Sequence, residues 1–285
     1  MSPRLILALA GAWLLASSHV VSGLSDLVGE GSAGAGGGVG TGGEGAGGAA
    51  TGGQGGESGI GGGGQGGFGG SGGAGSGGSP CEHFDLEPCA RDGVACFRFD
   101  GDLGDAKNGP SGMVGSGTIS YEQSQAAVFD GSSYVEVMAT NALELTVSIS
   151  IEVRARIDSF GIGRRGLLDQ QASYGLFIHD DGSVEMTRGE PIRSPPNVVQ
   201  LGIWHHIVAT EANNQVRIYV DGVQVHQGSV PTSMPGSDRL VIGANANGGQ
   251  TDQLFHGAFD HLQLYDRALP LGEVACRHAH TFPGS

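Results

Sequence analysis

"TVSISIEVRARI", residues 146–157, decides the fold class. Its apolar side chains fall at Val147, Ile149, Ile151, Val153, Ala155 and Ile157; its polar ones fall at Ser148, Ser150, Glu152, Arg154 and Arg156. Successive side chains of a strand point to opposite faces, so a period of two separates an apolar face from a polar one. The stretch is expected to be a long antiparallel strand, dry on one side and wet on the other.

The same period continues outward. "QVRIYVDGVQV" (215–225) reads as strand, Asp-Gly turn, strand, the commonest short hairpin signal. "YGLFIHDDGSVEMT" (174–187) repeats it with Asp181-Gly182 at the turn, and "WHHIVATEANNQVRIYV" (204–220) sets Asn213-Asn214 between two alternating runs. Further strands are expected at 94–100, 125–130, 133–138, 239–243 and 257–265; only "ALPLGEVAC" (268–276) has a helical pattern. Many short strands separated by turn residues mean an all-β sandwich or barrel. No strand–helix alternation is present, which excludes Rossmann-type nucleotide binding. "GIGRRG" (161–166) lacks the strand-to-helix setting of a phosphate loop and reads as a turn.

The ends of the chain have other compositions. Residues 1–23 carry one basic residue, Arg4, then an apolar run and small residues, the pattern of a secretory signal peptide. Residues 24–80 are mostly glycine. They have almost nothing apolar to bury and are expected to form a disordered, flexible tether, about 40 Å from end to end. Residues 81–285 are long enough for one domain with a real core. The net charge of −15 falls mainly on this part, and Lys107 is the single lysine. Without a basic stripe, nucleic acid and anionic membrane are poor partners, and no membrane insertion is expected after signal cleavage. The glycine-rich, lysine-poor usage points to a bacterial source.

The four cysteines are Cys81, Cys89, Cys96 and Cys276. An even count behind a signal peptide implies disulfides, with three pairings open. The pairing favoured is one local bridge among the first three and one from that cluster to Cys276. No Cys-x-x-Cys pair supports a zinc site, and Cys276, His278 and His280 of "CRHAH" read as a solvated tail.

Four segments then occur in a telling order: "VFDGSSYVEV" (128–137), "SISIEVRARI" (148–157), "WHHIVATEANNQVRIYVDGVQV" (204–225) and "FHGAFDHLQLYDRALPLGEV" (255–274). With "CFRFDGDLGDAKNGPSG" before them, the chain resembles the laminin-G-like branch of the concanavalin A-like lectin/glucanase superfamily over about residues 94–275. The resemblance implies a jelly roll of two antiparallel sheets. It also implies a calcium ion held by the loop after the first strand and by the last strand; the matching positions are Asp105 and Asp260, with Asn108 as a nearby oxygen donor. Lys107 stands beside that site. From the residues themselves, Trp204 is expected to anchor the core, His205 and His206 to point to opposite faces, and Tyr265 and Leu269 to close the sandwich.

"CEHFDLEPC" (81–89) packs Glu82, Asp85 and Glu87 into one short stretch. A jelly-roll glucanase needs its carboxylates on one face of one strand. The spacing here, three then two, sends Glu82 away from the other two, and Pro88 interrupts the segment. No nucleophile elbow and no His-Glu-x-x-His appears. The chain is therefore expected to be a secreted or cell-surface, non-catalytic recognition module for a glycan or an extracellular protein. The alternatives are a jelly-roll glycoside hydrolase and a structural envelope or matrix protein. The long, proline-rich stretch 189–202 reads as a surface crossover, with a ligand lip as the alternative.

Overall fold

A computed structural model describes residues 81–123, 125–231 and 236–281; the expected signal peptide and tether lie outside the described residues. Their strands are β1 (Ala95–Phe97), β2 (Met113–Ser116), β3 (Ser120–Glu122), β4 (Ala126–Asp130), β5 (Tyr134–Val137), β6 (Ser148–Ser159), β7 (Arg164–Gln170), β8 (Tyr174–His179) and β9 (Val184–Arg188). There follow β10 (Glu190–Arg193), β11 (Trp204–Ala212), β12 (Gln215–Val220), β13 (Val223–Ser229), β14 (Leu240–Ile242), β15 (Asn245–Asn247), β16 (Gln250–Asp252), β17 (His256–Tyr265) and the helix α1 (Leu271–Thr281). Neighbouring strands pair antiparallel in two large sheets. The first runs β13-β12-β11-β6-β17-β4-β3, with β1 also on β17; the second runs β10-β9-β8-β7-β14-β5-β2. β15 and β16 form a separate hairpin. The expected all-β, two-sheet antiparallel sandwich is the fold.

The turns form where the sequence places the residues that tolerate them. Asn213 and Asn214 both take positive φ (52° and 64°), as do Asp221 and Gly222 (50° and 76°), the pattern of tight hairpin turns. Ile149, Ile151, Val153, Ala155 and Ile157 of β6 are buried in one core cluster with Leu168, Leu176, Met186 and Ile242 of the second sheet. Val147 is not part of it: it precedes β6 and is 82% exposed.

The other face of β6 departs from expectation. Ser150 and Glu152 are buried rather than wet. Helix α1 lies over them, with Leu269, Val274, Tyr265, Val208, Tyr219 and Ala90 forming a second small core. Tyr265 and Leu269 thus close the sheet-to-helix layer, not the space between the sheets. The Glu152 carboxylate meets Tyr265 Oη at 2.6 Å, His206 Nε2 at 2.9 Å and Arg277 Nη1 at 3.4 Å. Burial alone would push this carboxyl up, yet the His206 hydrogen bond and the charges of His206 and Arg277 hold it well below the ordinary carboxylate range. His278 of α1 stacks on His206, ring centroids 5.8 Å apart, so "CRHAH" is a docked helix end and not a solvated tail.

Two disulfides fix this layer: Cys89–Cys96, and Cys81–Cys276 with Cα atoms 5.5 Å apart. One bridge is local and the other ties the two ends of the domain, the pairing the spacing favoured. No helix among the described residues is long and apolar enough to cross a membrane.

Candidate ligand-binding site

The outer face of the second sheet carries a polar cavity of about 330 Å³, at the lower end of the range for small-ligand sites. Register places its residues. Asp169 of β7 stands opposite Gly175 of β8, which stands opposite Thr187 of β9; one step along, Gly166, Phe177 and Glu185 form the next row. The alternate positions Leu168, Leu176 and Met186 belong to the core, so the row bearing Asp169 and Thr187 faces outward.

Two glycines shape the cavity. A Cβ on Gly166 would lie 2.3 Å from the Ala244 carbonyl carbon and oxygen. Only glycine lets the β15–β16 hairpin approach the sheet here and wall the cavity. A Cβ on Gly175 would lie 2.8 Å from both Asp169 Oδ1 and Thr187 Oγ1. Its absence lets an acceptor and a hydroxyl converge on one spot.

Arg164 is held rigidly at the rim. Its Nε donates to Gln253 Oε1 at 2.8 Å, Nη1 to Glu185 Oε1 at 2.6 Å and Nη2 to Asn245 Oδ1 at 3.1 Å. Its guanidinium sits 3.9 Å from the Phe177 ring centroid. A guanidinium fixed in this way is preorganised. The other Glu185 oxygen is taken by His179 Nε2 at 2.8 Å. Asp169 is different. Its Oδ2 accepts the Ala246 N–H at 2.8 Å, and the carboxyl is almost wholly out of water. Burial pushes it from an ordinary 3.8 up to about 7, against the pull of that N–H. Near neutral pH it can therefore either donate or accept a hydrogen bond. A carboxyl so perturbed, in a cleft beside Thr187, Gln171, Ser173 and Asn247, makes this cleft the candidate binding site.

The family model described as "Concanavalin A-like lectin/glucanases superfamily" matches residues 129–275, more than half of the chain. The chain belongs to this superfamily. Solved structures share its fold at low identity. Domain 4 of AbnA, a GH43 extracellular arabinanase from Geobacillus stearothermophilus in complex with arabinotriose, is 20% identical with a TM-score of 0.53, over 66% of this chain and 98% of that one. A Trypanosoma rangeli sialidase is 17% identical with a TM-score of 0.53, over 68% of this chain and 33% of that one. The receptor-binding domain of a botulinum neurotoxin C/D mosaic serotype is 10% identical with a TM-score of 0.53, over 66% and 51%. The chain thus spans nearly all of the arabinanase domain but only a third to a half of the other two. No curated protein matches it.

As a member of the superfamily the chain was expected to hold calcium at Asp105, Asn108 and Asp260. The structure brings the first two together and separates the third. Asp105 Oδ1 accepts the N–H groups of Cys96 and Lys107, each at 2.9 Å, and the Asn108 N–H reaches the Asp105 carbonyl at 3.0 Å. This is a self-satisfied turn docked on β1. Asp260 sits at an irregularity of β17 and pairs with Arg154 at 2.8 Å. The two carboxylates line different cavities, and among the described residues no group of three His, Cys, Asp or Glu could hold a metal. As placed, Asp105 Oδ1 and the Asp260 carboxylate already accept from protein donors.

Other expected residues fall as follows. Glu82 lies in a turn and Asp85 and Glu87 in irregular backbone; none is on a strand. Asp85 accepts the Arg91 N–H at 2.9 Å, which holds its carboxyl below the ordinary range. His205 and His206 point to opposite faces, His205 to Asp221 at 2.8 Å and His206 to Glu152. Trp204 is not a core anchor; it is half-buried on the outer face of the first sheet, with the Arg154 and Arg156 guanidinium groups 5.2 and 5.4 Å from its ring centroid. Arg164 was read as part of a turn and instead begins β7. A register shift between Gly166 and Leu168 breaks the period of two there, which hid both Arg164 and Asp169.

Proposed function

We propose that this chain is a secreted or cell-surface, non-catalytic recognition module that binds a neutral glycan in the cavity on its second sheet. The observation that carries the reading is Asp169, a buried carboxyl that converges with Thr187 over the missing side chain of Gly175. Keeping such a group out of water costs stability, which a binding site justifies and a plain surface does not. Donors and acceptors around a small polar cavity suit hydroxyl groups, and the fixed Arg164 adds directional donors. The two disulfides suit an oxidising compartment.

Binding without hydrolysis is favoured by the state of Glu185, a carboxylate in the next row on this face. Both its oxygens are engaged, one by Arg164 and one by His179, whereas glycoside hydrolysis needs two carboxyl groups free to flank the bond. Calorimetric titration with neutral pentose and hexose oligosaccharides, arabinotriose among them, tests the reading. Wild type should bind at least one, and Asp169→Ala and Thr187→Val should each weaken it tenfold or more, with no reducing sugar released. Equal binding by both variants would overturn the assignment of the site; released sugar would overturn its non-catalytic character.

A further inference from the structure

The outer face of the first sheet carries a second polar cavity, of about 230 Å³, lined by Glu122, Gln125, Arg154, Trp204 and Asp260 among others. Trp204 of β11 stands directly across from Arg156 of β6, and both flanking guanidinium groups rest on its ring. Neither arginine is loose. Arg156 is gripped from both sides, by Glu122 through Nη1 and Nη2, each at 2.8 Å, and by Asp158 through Nε at 2.7 Å and Nη2 at 3.0 Å. Arg154 donates to Asp260 at 2.8 Å. The result is a fixed cluster in which two guanidinium groups cover part of a half-buried indole, bordered by carboxylate acceptors and glutamine amides.

Charge narrows the ligand. Two arginines face three carboxylates, Glu122, Asp158 and Asp260, so the patch has no net positive charge with which to select an anion. The part of the indole left uncovered, beside paired donors and acceptors, suits the apolar C–H groups and the hydroxyls of a sugar ring. We infer that this cavity is a second saccharide-binding site, which takes a neutral sugar against the exposed part of Trp204 and its hydroxyls on Glu122, Gln125 and Asp260. It lies on the opposite sheet from the Asp169 cavity, so one domain can hold two sugar chains, or two stretches of one chain, at once. Two linked weak sites raise overall avidity without any new contact.

Trp204 supplies its own readout, because the chain has only two tryptophans and the other is Trp13. The full chain carrying Trp13→Phe is titrated with arabinotriose, xylotriose and cellotriose while Trp204 emission is followed. A saturable change that persists in an Asp169→Ala background, and weakens tenfold or more in Glu122→Gln and in Gln125→Ala, is the expected result. Glu122 is exposed at the surface, so Glu122→Gln leaves the fold intact, and a thermal melt checks this. A change that disappears in Asp169→Ala overturns the second site. So does the absence of a saturable change with any of the three sugars, whether or not trilysine, a cationic competitor for the same carboxylates, produces one.

Discussion

Replacing Asp169 by asparagine should stabilise the protein at alkaline pH and barely change it in acid. The Asp169 carboxyl is raised from an ordinary 3.8 to about 7 by burial. The folded state therefore keeps a proton that the unfolded chain has already released. Stability is unaffected below the unfolded value, falls as pH rises from there through the folded value, and stays lowered above it. Taken over the whole interval, the penalty is about 4 kcal/mol. Asparagine is neutral throughout, and its side-chain oxygen can still accept the Ala246 N–H. Urea unfolding of wild type and Asp169→Asn is to be compared at two pH values. At about pH 8.5 the variant should be more stable by up to about 4 kcal/mol, or roughly 10 °C in Tm; at about pH 4.5 the gap should shrink to about 1 kcal/mol. The difference between the two proteins isolates this one group, since the other titrating groups are shared. The same variant should bind its glycan less well. A pH-independent difference, or a variant less stable at alkaline pH, would refute the claim that Asp169 is a desolvated carboxyl kept for its chemistry.

Four further outcomes follow from the same geometry. Gly166→Ala pushes a methyl group into the Ala244 backbone; it should cost about 2 kcal/mol and abolish binding in the Asp169 cavity, measured by denaturation and calorimetry. Glu152→Ala leaves Arg277 and His206 facing a buried gap and should cost about 3–5 kcal/mol in the same denaturation assay. The paired change Cys81→Ser with Cys276→Ser opens a 195-residue loop and should lower stability by about 5 kcal/mol on chain-entropy grounds, with α1 losing amide-exchange protection first. Thermal melts in EDTA and in millimolar calcium chloride should coincide, because Asp105 and Asp260 are engaged elsewhere; a calcium-dependent rise lost in Asp105→Ala would show the loop rearranging to hold the ion.

What the sequence revealed and what it hid have separate physical causes. β6 and the hairpins at Asn213-Asn214 and Asp221-Gly222 were legible because a period of two and a positive-φ turn are local properties. The disulfide pairing was approached through the terminal placement of Cys276. The outer faces were not legible. Nothing local to Ser150 or Glu152 says that a helix more than a hundred residues later will cover them, and their polarity reads as wetness. Trp204 misled in the opposite direction: a large aromatic at a strand start reads as core, but its neighbours across the sheet are Arg154 and Arg156, which hold it at the surface. The Asp169 cavity needed three strands in register and one bulge. Of its residues only the single carboxylate inside the apolar run "GLLDQ" (166–170) stood out in principle.

The central claim is that the Asp169 cavity on the second sheet binds a glycan. Amide chemical shifts of the isotopically labelled protein, followed during titration with the oligosaccharide that binds best by calorimetry, test it most directly. Saturable shifts centred on Gly175, Thr187 and Ala246, with the Trp204 indole responding on its own curve, are the predicted result. Shifts that spare those three amides, or no saturable shift with any sugar that calorimetry detects, would contradict it.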